Sequence, residues 1–280
     1  MWVEDMDILT DPEYRVFAFD MEWVGTEGGC MSQNRIAEIA CSDVITGKAI
    51  CIPVCPLVCD EAMAASTFYK TTRAEQQRKN AVPLEVALQY MDTWMHGVTG
   101  DKTAVLIGHN AFKADCIVLR HEMARCGTRI YTNHLFMDSL VYARSVLRDK
   151  VEAYDLSSVC AHFGIKCDSA KRHGALYDTN LLVHCLGSLT RIRGLHGPGL
   201  LPGNDSPLLI RGVGSFVAKC LMEQGIASTR QLASAIMQAH GSVEPGSCAA
   251  YMRTMKTCAW MTDSHVREIA ESSHEVLSAL

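Results

Sequence analysis

Five consecutive apolar residues, Ala104-Val105-Leu106-Ile107-Gly108, run straight into a helical pattern at about 112–125. A strand without a polar face must be covered on both sides, which sets it inside a sheet beside a parallel neighbour. Tyr14 to Val24 reads as a first strand, dense in aromatic and β-branched residues and followed by a Gly-rich turn from Gly25 to Gly29. Strands at about 34–45 and 48–54, separated by Thr46-Gly47, extend it into an antiparallel meander. A helix is predicted from Pro83 to His96, with proline at its first position and Leu84, Ala87, Leu88, Met91 and Trp94 on its apolar face. Further helical patterns fall at about 138–147, 156–163 and 173–190, with Asp155 as N-cap of the second. Three strands, then helices alternating about a central strand, predict an α/β fold whose mixed sheet is flanked by helices.

The 280 residues leave room for a second, smaller unit. Residues 1–192 form the predicted large domain. Residues 193–207, crowded with Gly, Pro, Asn and Asp, read as a linker. Residues 208–280 read as short helices only, a small all-helical C-terminal region.

Nearly half the residues are apolar, enough for a full core, and no apolar run approaches the ~20 residues a membrane span needs. The start, Met1-Trp2-Val3-Glu4-Asp5, lacks the basic and apolar character of a secretory signal, so a soluble intracellular protein, cytoplasmic or nuclear, is expected. Thirteen cysteines, an odd number, are then expected as reduced thiols, and Cys51, Cys55 and Cys59 lack the paired spacing of a zinc knuckle. A net charge of −5 argues against binding nucleic acid through a broad basic surface, but not against a small site carrying its own cations.

Asp20 and Glu22 leave the same face of the first strand, separated by Met21 and set among Phe17, Phe19 and Trp23. Two like charges in apolar surroundings repel and lose hydration, a conflict that a divalent cation resolves. Hard cations such as Mg²⁺ take carboxylate oxygens, and a pair of ions can activate water while stabilising the leaving oxygen of a phosphodiester. Asp115 begins the helix that follows the buried strand and the turn at His109-Asn110. His173 and Asp178 are five apart on a predicted helix, where Asp178 reaches a metal and His173, a turn earlier, reaches the attacking water. Histidine suits that task because an ordinary imidazole accepts protons near neutral pH.

These segments, Phe19-Asp20-Met21-Glu22-x-x-Gly25, His109-Asn110 with Asp115, and His173-x-Ala175-x-x-Asp178, resemble the three motifs of the DEDDh, or DnaQ-like, 3′→5′ exonucleases. Phe-Asp-Met-Glu, Asp138-Ser139-Leu140 and Tyr154-x-Leu156 are most similar to the three-prime repair exonucleases. The resemblance implies a ribonuclease-H-like sheet of five strands, the first three antiparallel. It further implies two Mg²⁺ ions, with Mn²⁺ as substitute, held by Asp20, Glu22, Asp115 and Asp178, and His173 as general base. Met21 and Trp23 would border the terminal nucleotide, His109 and Asn110 would orient its phosphate, and Asp138 would be a structural residue starting a helix rather than a ligand. Expected partners are DNA 3′ ends, single-stranded or duplex. RNA is the alternative, because metal ligands do not read the sugar, and a binding or scaffold module without activity is the other.

Leu84-Glu85-Val86-x-Leu88-Gln89 and the helical tail are also similar to the exonuclease-like module at the C-terminal part of a promyelocytic leukaemia protein isoform, whose mammalian form has lost the carboxylates. In the tail, Arg211-Gly212-Val213-Gly214 resembles the turn of a helix-hairpin-helix, although Arg211 stands where proline is usual. Phosphate contact by that turn and a role in helical packing or oligomerisation both stay open.

Overall fold

The structure is a computed structural model that describes residues 8–25, 33–192 except 68 and 149, 201–202, and those of 210–277 other than 211–212, 214–216, 218–219, 222–223, 227 and 255–260. The chain divides into two compact units, Met1–Leu200 and Leu201–Leu280.

The first unit is built on strands β1 (Tyr14–Val24), β2 (Arg35–Asp43), β3 (Ala49–Pro53), β4 (Thr103–Gly108) and β5 (His134–Asp138), in the spatial order β3-β2-β1-β4-β5. The first three pair antiparallel, while β4 runs parallel to both β1 and β5. That mixed five-stranded sheet is the ribonuclease-H-like arrangement the motifs implied. The β4 residues from Ala104 to Ile107 are all buried, as an interior parallel strand requires. The fifth strand that the resemblance implied, β5, was not located by pattern, because five residues with one charge at the end give period-2 alternation too little length to register.

Among the described residues of this unit the α-helices are, in chain order, α1 (Asp60–Ala64), α2 (Arg73–Arg78), α3 (Leu84–Thr99), α4 (Asp115–Cys126), α5 (Ser139–Val146), α6 (Leu156–His162) and α7 (Ala175–Ile192). Pro83 stands just outside α3, at the N-cap with extended ψ, rather than at the expected first helical position. Asp155 caps α6 as predicted, accepting from the Ser158 N–H at 3.1 Å. Helices α1 and α2 went unrecognised because each is under two turns; α2 is held by a capping box between Thr72 and Glu75.

Alternation along β1 sorts its side chains between two layers. Val16 and Ala18 pack with Val105, Ile107 and Met137 beneath α5, α6 and α7, where Tyr142, Cys160, Leu182 and Leu186 complete one core. Phe17 and Phe19 point the other way, Phe17 against Trp94 of α3 and Phe19 against Phe136 of β5. These two aromatics, expected to surround the carboxylates, therefore lie on the opposite face of the strand. Cys160 and Cys185 touch at 3.2 Å inside the first core, and the described cysteines are all free thiols.

The second unit holds a two-residue strand, Leu201–Pro202, and helices α8 (Thr229–His240), α9 (Pro245–Thr254) and α10 (Asp263–Leu277). Leu232, Ile236, Cys248, Met252, Val266 and Ile269 share its core with Val213 and Leu221. Most of the expected linker, the Gly-rich turn after β1 and the helix-hairpin-helix turn at Arg211, Gly212 and Gly214 lie outside the described residues. Among the described residues no helix is long and apolar enough to cross a membrane.

Candidate active site

The row Val16, Ala18, Asp20, Glu22 turns from apolar to acidic as β1 reaches its C-terminal end. Past Ala18 the row carries the two carboxylates, which line a cavity of about 450 Å³. Parallel sheets place their sites at the carboxyl ends of strands for this reason, since β1 and β4 deliver their following segments to the same edge. A register shift between Glu22 and Trp23 leaves Ala37 of β2 unpaired, a bulge beside the site, and Met21 and Trp23 line the cavity with the carboxylates.

At the end of β4 the chain must turn sharply. Gly108 permits it: a Cβ there would stand 2.7 Å from the Ala111 Cβ and 3.0 Å from the Phe19 ring. Asn110 adopts a left-handed conformation, a single 3₁₀ turn follows (Ala111–Lys113), and Asp115 opens α4. Its Oδ1 accepts the Met21 N–H at 3.2 Å, tying the helix to the carboxylate-bearing strand.

Asp138 sets the shape of that turn. It accepts the N–H groups of Asn110 (2.9 Å), Phe112 (3.2 Å) and Leu140 (2.9 Å), capping α5 while holding the segment after β4. The expectation of a helix-starting structural residue is met. Asp138→Ala leaves three donors without an acceptor, two of them bonded across the fold, and is expected to cost roughly 3 kcal/mol or more at ~1–3 kcal/mol per buried unsatisfied group. A urea midpoint shift worth under ~1 kcal/mol would show that the turn holds its shape by other means.

His109 departs from expectation. It lines the cavity, but Nε2 lies 2.8 Å from the Tyr154 carbonyl and Nδ1 2.9 Å from the Ser139 hydroxyl. A carbonyl only accepts, so Nε2 carries the proton and Nδ1 accepts from serine. Burial pushes its pKa down to about 4, which keeps the ring neutral. With both nitrogens engaged, His109 braces three segments and has no ring nitrogen left for a phosphate.

His173 also differs. The sequence places it on a helix one turn before Asp178, yet α7 begins at Ala175 and His173 precedes it with φ of 64°. The exposed amides at the helix start find other acceptors. The His173 N–H donates to Asp178 Oδ2 at 3.3 Å, and the Ala175 N–H donates to Glu38 Oε1 at 3.1 Å. Glu38 sits opposite Glu22 on β2 and also binds Lys79 Nζ at 3.1 Å, so both of its oxygens are engaged, one of them by the start of α7. Standing outside the helix, the His173 ring is exposed toward the cavity.

Every residue singled out as catalytic or substrate-binding lines this cavity. Within it, one ligand atom each from Glu22, His173 and Asp178 lie within 4.8 Å of one another. The electrostatics is that of a crowded acidic site. Burial, then repulsion from Asp178, Asp115 and Glu38, pushes Glu22 up to about 8. Burial raises Asp20 strongly, with Asp115, Glu22 and Asp178 adding to it, and burial likewise raises Asp115 to about 7 and Asp178. Carboxylates held this close, with oxygen donors converging, suit hard divalent cations such as Mg²⁺ or Mn²⁺. Residues that sequence reasoning missed include Thr67, Lys113 and Arg172, all on the cavity wall; Arg172 Nη1 reaches Asp178 Oδ1 at 2.6 Å. Its position directly before His173 was the available signal.

With that geometry in place, the model of the family described as Exonuclease matches residues 17–186. The chain belongs to the exonuclease family. The match embraces β1 through most of α7 and so all three acidic motifs, in keeping with the DEDDh, DnaQ-like type. Among solved structures, exonuclease I of E. coli in complex with a dT13 oligonucleotide is similar at 17% identity and a TM-score of 0.49, over 64% of this chain and 41% of that one. A moderately thermophilic exonuclease I from Methylocaldum szegediense is similar at 18% identity and a TM-score of 0.47, over 64% of this chain and 40% of that one. The exonuclease-family chain thus spans about two-fifths of the length of these structures. No curated protein matches it, and the likeness to the promyelocytic leukaemia module finds no support.

Proposed function

We propose that this exonuclease-family chain removes nucleoside 5′-monophosphates from DNA 3′ ends in a reaction that depends on divalent metal. The observation that carries the reading is the convergence of Asp20, Glu22, Asp115, His173 and Asp178 on one cavity at the carboxyl end of β1. The motif resemblance supports the 3′→5′ direction and the preference for DNA.

Asp20, Glu22, Asp115 and Asp178 would hold Mg²⁺ or Mn²⁺, two ions in the motif's usual arrangement. When bound, such ions lower the pKa of water and neutralise charge developing on the departing 3′ oxygen. The protein's own contribution is positional. The exposed His173 ring accepts a proton from the attacking water and passes it to solvent. Met21 and Trp23 border the terminal base, where the indole offers a stacking face that tolerates any sequence. Asn110 faces the same space, and His109 and Asp138 keep its turn in place.

A time course with Mg²⁺ or Mn²⁺ tests the direction. A 3′-labelled oligonucleotide is expected to release labelled mononucleotide first, and a 5′-labelled one to give a descending ladder. The opposite pattern, or internal cuts, would overturn the 3′→5′ reading. Parallel single-stranded DNA, duplex DNA and RNA substrates decide strand and sugar preference. His173→Ala is expected to slow turnover about 10²–10⁴-fold with Mn²⁺ affinity kept; a matching loss of Mn²⁺ affinity would make His173 a ligand instead of the base.

A further inference from the structure

Among the described residues, the acidic cavity contains one guanidinium that the proposed chemistry leaves without a task. Arg172 is mostly buried, with 19% of its side chain exposed, and Nη1 lies 2.6 Å from Asp178 Oδ1. The other oxygen of the same carboxylate takes the His173 N–H at 3.3 Å. Both Asp178 oxygens are thus engaged by the protein, and one by a full positive charge.

A carboxylate in that position cannot serve a guanidinium and a divalent cation equally, because the two cations repel across a few ångströms of poorly hydrated space. Glu22, His173 and Asp178 are also the side chains whose ligand atoms converge, so the competition falls at the centre of the site. A guanidinium released from Asp178 remains inside the cavity, where Lys113 is the other basic wall residue and is more exposed. An arriving phosphodiester brings the anion that a planar, always-charged fork pairs with best.

We propose that Arg172 competes with divalent cations for Asp178 and gives its guanidinium to the phosphate of the terminal nucleotide once cations hold that carboxylate. The inference rests on the metal-site reading given above. Metal and nucleotide then assist each other: the phosphate draws off the competitor of the metal, and the metal frees the group that binds the phosphate. Such coupling is reciprocal by linkage. Arg172 is on this view a substrate-binding residue whose resting partner is a metal ligand.

Calorimetric titration of Mn²⁺ into the full chain, with and without thymidine 5′-monophosphate, tests this in wild type, Arg172→Gln and Arg172→Lys. In Arg172→Gln, Mn²⁺ alone is expected to bind about fivefold or more tightly than in wild type. The improvement in Mn²⁺ affinity that the nucleotide confers on wild type is expected to disappear. Arg172→Lys, which keeps the charge without the fork and is the milder change to folding, is expected to fall between. Mn²⁺ binding that is unchanged or weaker in both variants, with nucleotide coupling intact, would overturn the proposal and leave Arg172 a brace for Asp178. Absence of Mn²⁺ binding by wild type would instead sink the metal-site reading beneath it, an outcome distinct from failure of the arginine exchange.

Discussion

Asp20→Asn is expected to lower turnover on a 3′-ended oligonucleotide by about 10³-fold or more at saturating Mg²⁺, while making the chelator-treated protein more stable. The first effect follows from the loss of a negative oxygen donor where several kcal/mol of charge stabilisation are needed, each ~1.4 kcal/mol being a factor of ten. The second follows from crowding. Burial and the charges of Asp115, Glu22 and Asp178 hold the Asp20 carboxyl well above its ordinary pKa, so the fold carries a penalty there that a neutral amide of the same shape relieves. A gain of about 1 kcal/mol would raise the melting temperature by roughly 2–4 °C. Opposite movement of activity and stability is the signature of a carboxylate kept for function. Near-normal turnover, or a lower melting temperature in chelator, would remove Asp20 from the ligand set.

The same crowding predicts how stability should depend on pH. Glu22 shifts from 4.5 to about 8 on folding, so between those values the folded state holds a proton that the unfolded state has released. Stability in chelator should therefore fall as pH rises through that window, with a limiting slope of about 1.4 kcal/mol per pH unit for one proton. Asp20, Asp115 and Asp178 are raised as well and act in the same direction. His109, pushed down to about 4 by burial, and His134, also lowered by burial, act in the opposite sense, but only up to the ordinary histidine range near 6.5. Asp43 is buried, which works against its charge, yet bonds from Arg15 and Thr46 prevail and lower its pKa; Asp155 is lowered by its bond from Ser158. Both finish their contribution below pH 5. The clean interval is pH 6.5–8, where melting temperature in chelator should decline and Mn²⁺ should restore it, more at pH 8 than at pH 6.5 because protons compete with the metal. A flat or rising profile across that interval would mean that the carboxylates are not clustered in solution as they are in this structure.

Much of the site was legible from local pattern. Asp20 and Glu22 share a strand face because side chains alternate with period two, and their place at the end of an apolar row is written in Val16, Ala18, Asp20 and Glu22. Asp115 had to follow β4 closely, since a fully apolar strand must lie in the sheet interior and its exit delivers the next helix to the end where β1 also finishes. The fold class, the order of the motifs and the candidate ligands thus depend on periodicities and separations that a chain carries with it.

What lay beyond reach depends on partners distant in sequence. Glu38 caps α7 across 137 residues. Its pairing with the Ala175 amide ends the helix short of His173, and no local propensity records that. His109 looked free for a phosphate until Ser139 and the Tyr154 carbonyl, 30 and 45 residues away, took its two nitrogens. Arg172 stands six residues before Asp178, a separation that pairs no two residues on one helix face, and it meets that carboxylate across the left-handed turn at His173. The amino-acid sequence by itself determined which groups stand at the mouth of the sheet, because strand alternation and apolar runs are short-range physics. Only the tertiary structure decided which of those groups are already spent on one another, because hydrogen bonds and ion pairs are allotted by distances that exist only once the chain has folded.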